Sequence, residues 1–234
     1  MFRPTLISVF LLIGGAFTGS ASVVYAQQAS ASSGSDAVSE GHSVTIDGIA
    51  ARIEDDIITE SEVNELGSFQ QLVDRHSKSR DEIIRELADQ WIVRQEATAV
   101  TYKEPSAEDV DRAYQELVKQ FPSEKEFHQR CAALGLSEAA IRRLLAQQLY
   151  LSRFLDRRFR PAAQVTSAQV EAYYNDEFAP QLKARNEAVP PLDDVEDTIR
   201  EVLIQRAINE LAEKWLDETR ERLKIDIVQP GTAP

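Results

Sequence analysis

The stretch LDDVEDTIREVLIQRAINELAEKWLDETRERLK, from Leu192 to Lys224, constrains the fold of this chain more than any other part of it. It reads as one helix. Asp193, Asp194, Glu196 and Asp197 crowd its start, and Arg220, Arg222 and Lys224 its end, which is the polarity the helix macrodipole favours. At about 1.5 Å per residue such a helix spans roughly 45 Å. A compact domain needs a helix of that length only if it bridges separate parts. The segment after it, KIDIV, alternates apolar and polar residues as a half-buried strand does. Its one evident partner is a hairpin near the other end of the chain, in VTIDGIAARIEDDIIT. There Ile49, Ala51 and Ile53 alternate, the phase shifts at Gly48 as at a bulge, EDD turns, and IIT returns. Asp55 and Asp56 belong to the turn rather than to a metal or acid/base site, because Asp bonds its own backbone well there. The two ends of the folded region are therefore expected to meet.

Between these ends the chain is a series of helices with readable starts. SRDE (Ser79 to Glu82) is a capping box, followed by an apolar face of Ile83, Ile84, Leu87 and Trp91. That helix ends before KEP, since a residue preceding proline avoids helical geometry. SAED (Ser106 to Asp109) opens the next helix, with Val110, Ala113, Tyr114 and Leu117 facing inward. Ser123 with Glu126 repeats the device, and Gly135 is placed to take a left-handed cap. From Ser137 to about Phe159, the apolar residues Ile141, Leu144, Leu145, Leu149, Leu151, Phe154, Leu155 and Phe159 cover more than half the helix circumference. Such a helix is buried on several sides or offers apolar surface to a partner. Thr166 with Gln169 starts another helix, and Pro180, Pro190 and Pro191 then mark a polar joint before the long helix.

The first 26 residues read as a secretory signal. Arg3 supplies a positive start, TLISVFLLIGGAF is an apolar run too short to span a bilayer, and VYA ends in small residues, so cleavage is expected after Ala26. An uncleaved anchor is the alternative. Residues 27–43 are rich in Ser, Ala and Gly and read as a flexible spacer, and residues 229–234 as a loose tail. Removing the signal takes the formal charge from −13 to −14, because that stretch holds Arg3 and no acid. An acidic surface of this kind repels nucleic acid and anionic lipid head groups. Cys131 is the single cysteine and cannot close an internal disulfide. With His128 it makes two potential ligands, too few for a zinc site, so a buried, inert thiol is expected and no metal.

The order of these segments resembles the SurA-like and PrsA-like family of extracytoplasmic foldases. It is carried by IDGIAARIEDDIITESEV, IIRELADQWIVRQEA, PSAEDVDRAYQEL, FPSEKEFHQRCAALGLSEAAIRRLLAQQLYLSRFLDRRF, VTSAQVEAYYNDE and PLDDVEDTIREVLIQRAINELAEKWLDETRERLKIDI. The resemblance implies a mostly α fold: a multi-helix domain over residues 44–228, with a small sheet made by the N-terminal hairpin and the C-terminal strand, plus one long C-terminal helix. It divides into an N-terminal part (44–178), a joint (179–191), and the long helix and strand (192–228). In that family a parvulin-type prolyl isomerase domain usually follows the segment resembling VEAYYNDE. Here the flanks stand almost side by side, and a domain needs at least about 50 residues. The joint thus resembles a vacant insertion site, and no isomerase chemistry is expected.

What the resemblance leaves is the chaperone part. The expected function is that of an ATP-independent periplasmic chaperone in outer-membrane biogenesis, binding unfolded or outer-membrane-bound polypeptides through an apolar cleft. Its partners are unfolded or partly folded clients, not nucleic acid, and no stable membrane insertion is expected after signal cleavage. No cofactor is expected, and with no phosphate-binding glycine loop in the sequence no energy coupling to nucleotide is expected either. A non-catalytic helical adaptor for one cell-envelope partner is the alternative, and a prolyl isomerase the third. Candidates to contact clients are Trp91, Phe121, Phe127, Tyr150, Phe154, Tyr173, Tyr174, Phe178 and Trp215. Aromatics at helical spacing are more often core. Tyr150 lies opposite its helix's main apolar face and reads as a surface residue, and Tyr173 and Tyr174 adjoin the joint. Acids such as Glu86 and Asp89 read as solvated helix faces.

Overall fold

The computed structural model describes residues 47–229, so the predicted signal, the spacer and the tail beyond residue 229 lie outside the described residues. The fold is mostly helical with one small sheet. Strands β1 (Ile49–Ile53) and β2 (Asp56–Thr59) form an antiparallel hairpin, and β3 (Ile225–Ile227) pairs antiparallel with the other side of β1. The ends of the domain meet as expected. Ala51 lies opposite Ile58 on one side and Ile227 on the other, and Ala51, Ile53 and Ile58 are buried. Arg52 pairs with Ile57 and Asp226 on the opposite face, which leaves Ile57 50% exposed. The register shift falls between Ile49 and Ala51, just past Gly48. Gly48 is needed for close approach instead: a Cβ there would lie 3.0 Å from Cγ of Glu60.

Helix α1 (Glu60–Asp74) follows β2 without a linker. It was not evident in the sequence, although Thr59 and Glu62 form a capping box like the others. The last residue of β2, Thr59, is itself the helix cap, so no turn residues separate the strand from the helix. Helices α2 (Arg80–Ala99), α3 (Ala107–Lys119), α4 (Glu124–Ala133) and α5 (Glu138–Phe159) start after their expected caps Ser79, Ser106, Ser123 and Ser137. Gly135 takes φ +69° after α4, where its N–H bonds Ala132 and that of Leu136 bonds Cys131. This is the left-handed helix ending that glycine favours.

Helix α5 is the centre of the fold and packs against α1, α2, α3 and α8 (Leu192–Arg220). Its wide apolar surface is consumed by three clusters. One lies between the sheet, α1 and α2. A second gathers Phe69, Leu72, Tyr114, Leu117, Phe127, Cys131 and Ile141. The third joins Ile92, Val93 and Ala97 of α2 to Tyr150, Leu151 and Phe154 of α5 and to Ala212 and Leu216 of α8. Cys131 is buried, and that burial pushes its thiol up from its ordinary value.

The joint differs from expectation. Helix α6 (Ser167–Tyr173) runs through one π-helical turn (Tyr174–Phe178) into α7 (Ala179–Ala184), so only residues 185–191 are non-helical. Pro180 sits in the first turn of α7 rather than ending a helix. A proline lacks an N–H and crowds the carbonyl four residues back. The wider turn, in which the Ala179 N–H reaches the Tyr174 carbonyl, accommodates it. Asn186 (φ 56°) then reverses the chain, and Pro191 precedes α8. With 29 residues, α8 is about 44 Å long. Its first half packs on α6 and its second on α5 and α2, so it bridges two parts of the molecule.

Candidate functional site

The nine aromatic candidates divide by burial. Phe127, Tyr150 and Phe154 are core, while Trp91, Phe121, Tyr173, Tyr174, Phe178 and Trp215 are half-buried. Tyr150 is the correction: it is 3% exposed, not a surface residue. Its side of α5 is covered by the chain leaving α2. Thr101 takes φ 51°, its N–H bonds Thr98, and the Tyr102 N–H bonds Ala97 at 2.9 Å. This ending folds Tyr102 back onto α5, where its ring lies 5.6 Å from those of both Tyr150 and Phe154. Helical spacing within α5 carried no information about this cover.

The structure does not gather the half-buried candidates into one cleft. Trp91 donates its indole N–H to Oδ2 of Asp56 at 2.7 Å, beside the sheet. Phe121 stacks edge-on against Phe127, 5.1 Å away. Trp215 lies 5.9 Å from Phe159, with the Arg158 guanidinium 4.6 Å over its ring. Only Tyr173, Tyr174 and Phe178 come together, on the arm formed by α6, the π-helical turn and α7. Tyr174 and Phe178 stack at 5.9 Å, and the Tyr174 hydroxyl donates to the Pro190 carbonyl at 2.7 Å, tying the joint back to the arm. Arg206 of α8 lies 4.7 Å over the Tyr173 ring and pairs with Glu177, whose hydrogen bonds raise the arginine above its ordinary value.

This arm has a thin core. Val170, Ala179 and Ile199 are buried, but Tyr173, Tyr174, Phe178, Leu182, Val202, Leu203 and Ile204 are only partly buried. None belongs to the three core clusters. The sequence reading missed Leu182, Val202, Leu203 and Ile204. Their apolar character was visible, but not that α8 outruns the body it packs on. Elsewhere among the described residues, Val100 is 65% exposed, at the end of α2.

A second feature runs against expectation. Glu86 and Asp89 are not solvated: they are 4% and 3% exposed, buried charged residues of α2. With Val93 and Ala97 they form a second stripe at helical spacing, which α8 covers from Asp89 onward. Glu86 accepts from Gln70 of α1 and pairs with Lys78. Asp89 Oδ1 lies 2.8 Å from Arg220 Nε. Burial pushes the Asp89 carboxyl up to about 7, against the pull of Arg220 and with Asp217, Glu86 and Glu213 adding to the push. By contrast, Asp109 of α3 is held well below the usual carboxylate range by its hydrogen bond from Arg153 of α5.

Among the described residues, no cluster of His, Cys, Asp and Glu has the makings of a metal site, and no helix is long and apolar enough to cross a membrane. One shallow depression of about 550 Å³ lies between β2 and α1, lined by Asp47, Ile57, Thr59, Ser61, Glu62, Glu65 and Arg143. Its polar groups are occupied locally: Glu62 caps α1, Asp47 accepts from the Ser61 N–H, and Glu65 pairs with Arg143. Comparison with protein-family models and with curated proteins finds no match to this chain.

Proposed function

We propose that the mature chain is an ATP-independent periplasmic holdase for unfolded or outer-membrane-bound polypeptides. It works by binding alone, without prolyl isomerase chemistry. The observation that carries this reading is the set of partly buried apolar side chains on the arm and on the first half of α8. Tyr173, Phe178, Leu182, Leu203 and Ile204 are each only partly buried and lie outside the clusters packed beneath α5. Apolar surface rimmed by charge is what a binder of extended, sticky chains requires. Weak, distributed contacts hold an unfolded segment by mass action and release it when it folds. The resemblance of the segment order to SurA-like proteins supports the same reading, and so does the continuity of α6, α7 and the short joint, which has no room for a catalytic domain.

The test is a panel of unrelated chemically unfolded proteins diluted with residues 27–234 of this chain, followed by light scattering. Suppression of aggregation for several of them supports a holdase. Suppression for none overturns the reading in favour of a dedicated adaptor. A proline-peptide isomerisation assay on the same preparation is expected to show only the slow uncatalysed rate.

A further inference from the structure

Residues 167–206, which make up the arm, the joint and the first half of α8, hold nine acids against four bases. They carry five of the chain's thirteen net negative charges in forty of its 234 residues. Ion pairs leave most of that charge unmatched. Glu177 pairs with Arg206, Glu196 with Arg200, and Glu201 with Arg160 at the end of α5. Glu171, Asp176, Glu187, Asp193, Asp194 and Asp197 are exposed and have no ion-pair partner among the described residues, against the exposed bases Lys183 and Arg185. On α5, by contrast, Arg142, Arg153 and Arg158 are each matched by an acid of a neighbouring helix. The unmatched acids are interspersed with the apolar side chains of the arm. Glu171 and Asp176 flank Tyr173 and Tyr174 in the chain. Asp197 precedes Val202 and Leu203 by about 8–9 Å along the α8 axis, at about 1.5 Å per residue. That is within the roughly 10 Å over which charge is felt at about 0.1 M salt.

We infer that the arm takes an apolar stretch of unfolded polypeptide flanked by Lys or Arg, in preference to the same stretch flanked by Asp or Glu. This rests on the holdase reading and names the client chemistry of the same surface. Apolar contact is non-directional, so it supplies affinity without choosing between segments of similar hydrophobicity. Charge at the rim then makes the choice, attracting one sign and repelling the other. A second copy of this chain fits poorly as the occupant, because it brings the same net charge to the contact. One exposed ion pair is worth about a factor of two. Four flanking cations in place of four flanking acids therefore change binding by more than about tenfold at low salt.

The experiment measures binding of three peptides to residues 27–234 by fluorescence anisotropy with an uncharged dye. The peptides share one apolar core and carry two Lys, two Ser or two Glu at each end. At about 50 mM salt the Lys-flanked peptide is expected to bind at least about tenfold tighter than the Glu-flanked one, with the Ser-flanked peptide between them. At about 500 mM salt the three should agree within about twofold. The variant Asp176→Asn/Asp193→Asn/Asp194→Asn/Asp197→Asn should lose most of the discrimination while holding the Ser-flanked peptide within about twofold of wild type. A control variant removes four exposed acids elsewhere, Asp55→Asn/Glu104→Gln/Glu108→Gln/Glu221→Gln, for the same net charge, and should discriminate as wild type does. Equal affinity for Lys-flanked and Glu-flanked peptides in wild type overturns the inference, whether or not the variants fold. So does equal loss of discrimination in the two variants, which would make the preference one of overall charge. In both cases binding of the Ser-flanked peptide leaves the holdase reading standing. Binding of none of the three overturns both.

Discussion

Replacing Tyr150 by alanine separates a core aromatic from a client-binding one. The side chain is 3% exposed and packs in the cluster that joins α2, α5 and α8. Truncating a buried aromatic costs about 3–5 kcal/mol through lost transfer energy and the cavity left behind. The Tyr102 ring loses one partner but keeps Phe154, also 5.6 Å away, which places the expected cost toward the lower half of that range. For a folded region of this size each kcal/mol is worth about 2–4 °C, so the melting temperature should fall by roughly 6–16 °C. Tyr150→Phe keeps the ring and should cost under about 1.5 kcal/mol. Thermal unfolding followed by circular dichroism, with urea titration to confirm that m is unchanged, gives both numbers. A Tyr150→Ala melting temperature within about 2 °C of wild type would refute the core assignment, and with it the role given to the turn at Thr101.

Other expectations follow from the same packing. The double variant Tyr173→Ala/Phe178→Ala should melt within a few degrees of wild type while losing most of its suppression of client aggregation, and undiminished suppression removes the arm from the binding surface. Deleting Ile225 to Pro234 strips β1 of one partner and takes away the Val228 carbonyl that Arg80 binds at 3.0 Å, so the whole domain should unfold at lower urea; an unchanged midpoint contradicts the closure of the sheet. Gly135→Ala meets no atom within 4 Å, so its cost of about 1 kcal/mol is purely conformational, and a neutral result in urea titration counts against the φ of +69°. Thr101→Gly should stabilise by up to about 1 kcal/mol by the converse argument, read as a higher melting temperature.

The sequence by itself determined most of the elements and their chain order, though not α1 or α7. Capping boxes at Ser79, Ser106 and Thr166 mark helix starts because the signal is local: a hydroxyl and a carboxylate or amide three residues apart satisfy orphan N–H groups within one turn. The strand KIDIV and its pairing with the hairpin were also legible, since a lone strand needs a partner and the hairpin was the one evident, while the structure decided that β1 is the edge it joins. Tertiary structure decided what each helix face meets. Tyr150 is off the main stripe of α5 and yet buried, because a turn some fifty residues earlier lays Tyr102 over it. Glu86 and Asp89 carry charge and yet are buried, because Gln70 of α1 and Lys78 lie against the first and α8 returns across the second from the far end of the chain. Pro180 falls within a helix because a π-helical turn absorbs it. A side chain's period along its own helix says which way it points, and burial depends on whether another part of the chain, distant in sequence, lies in that direction.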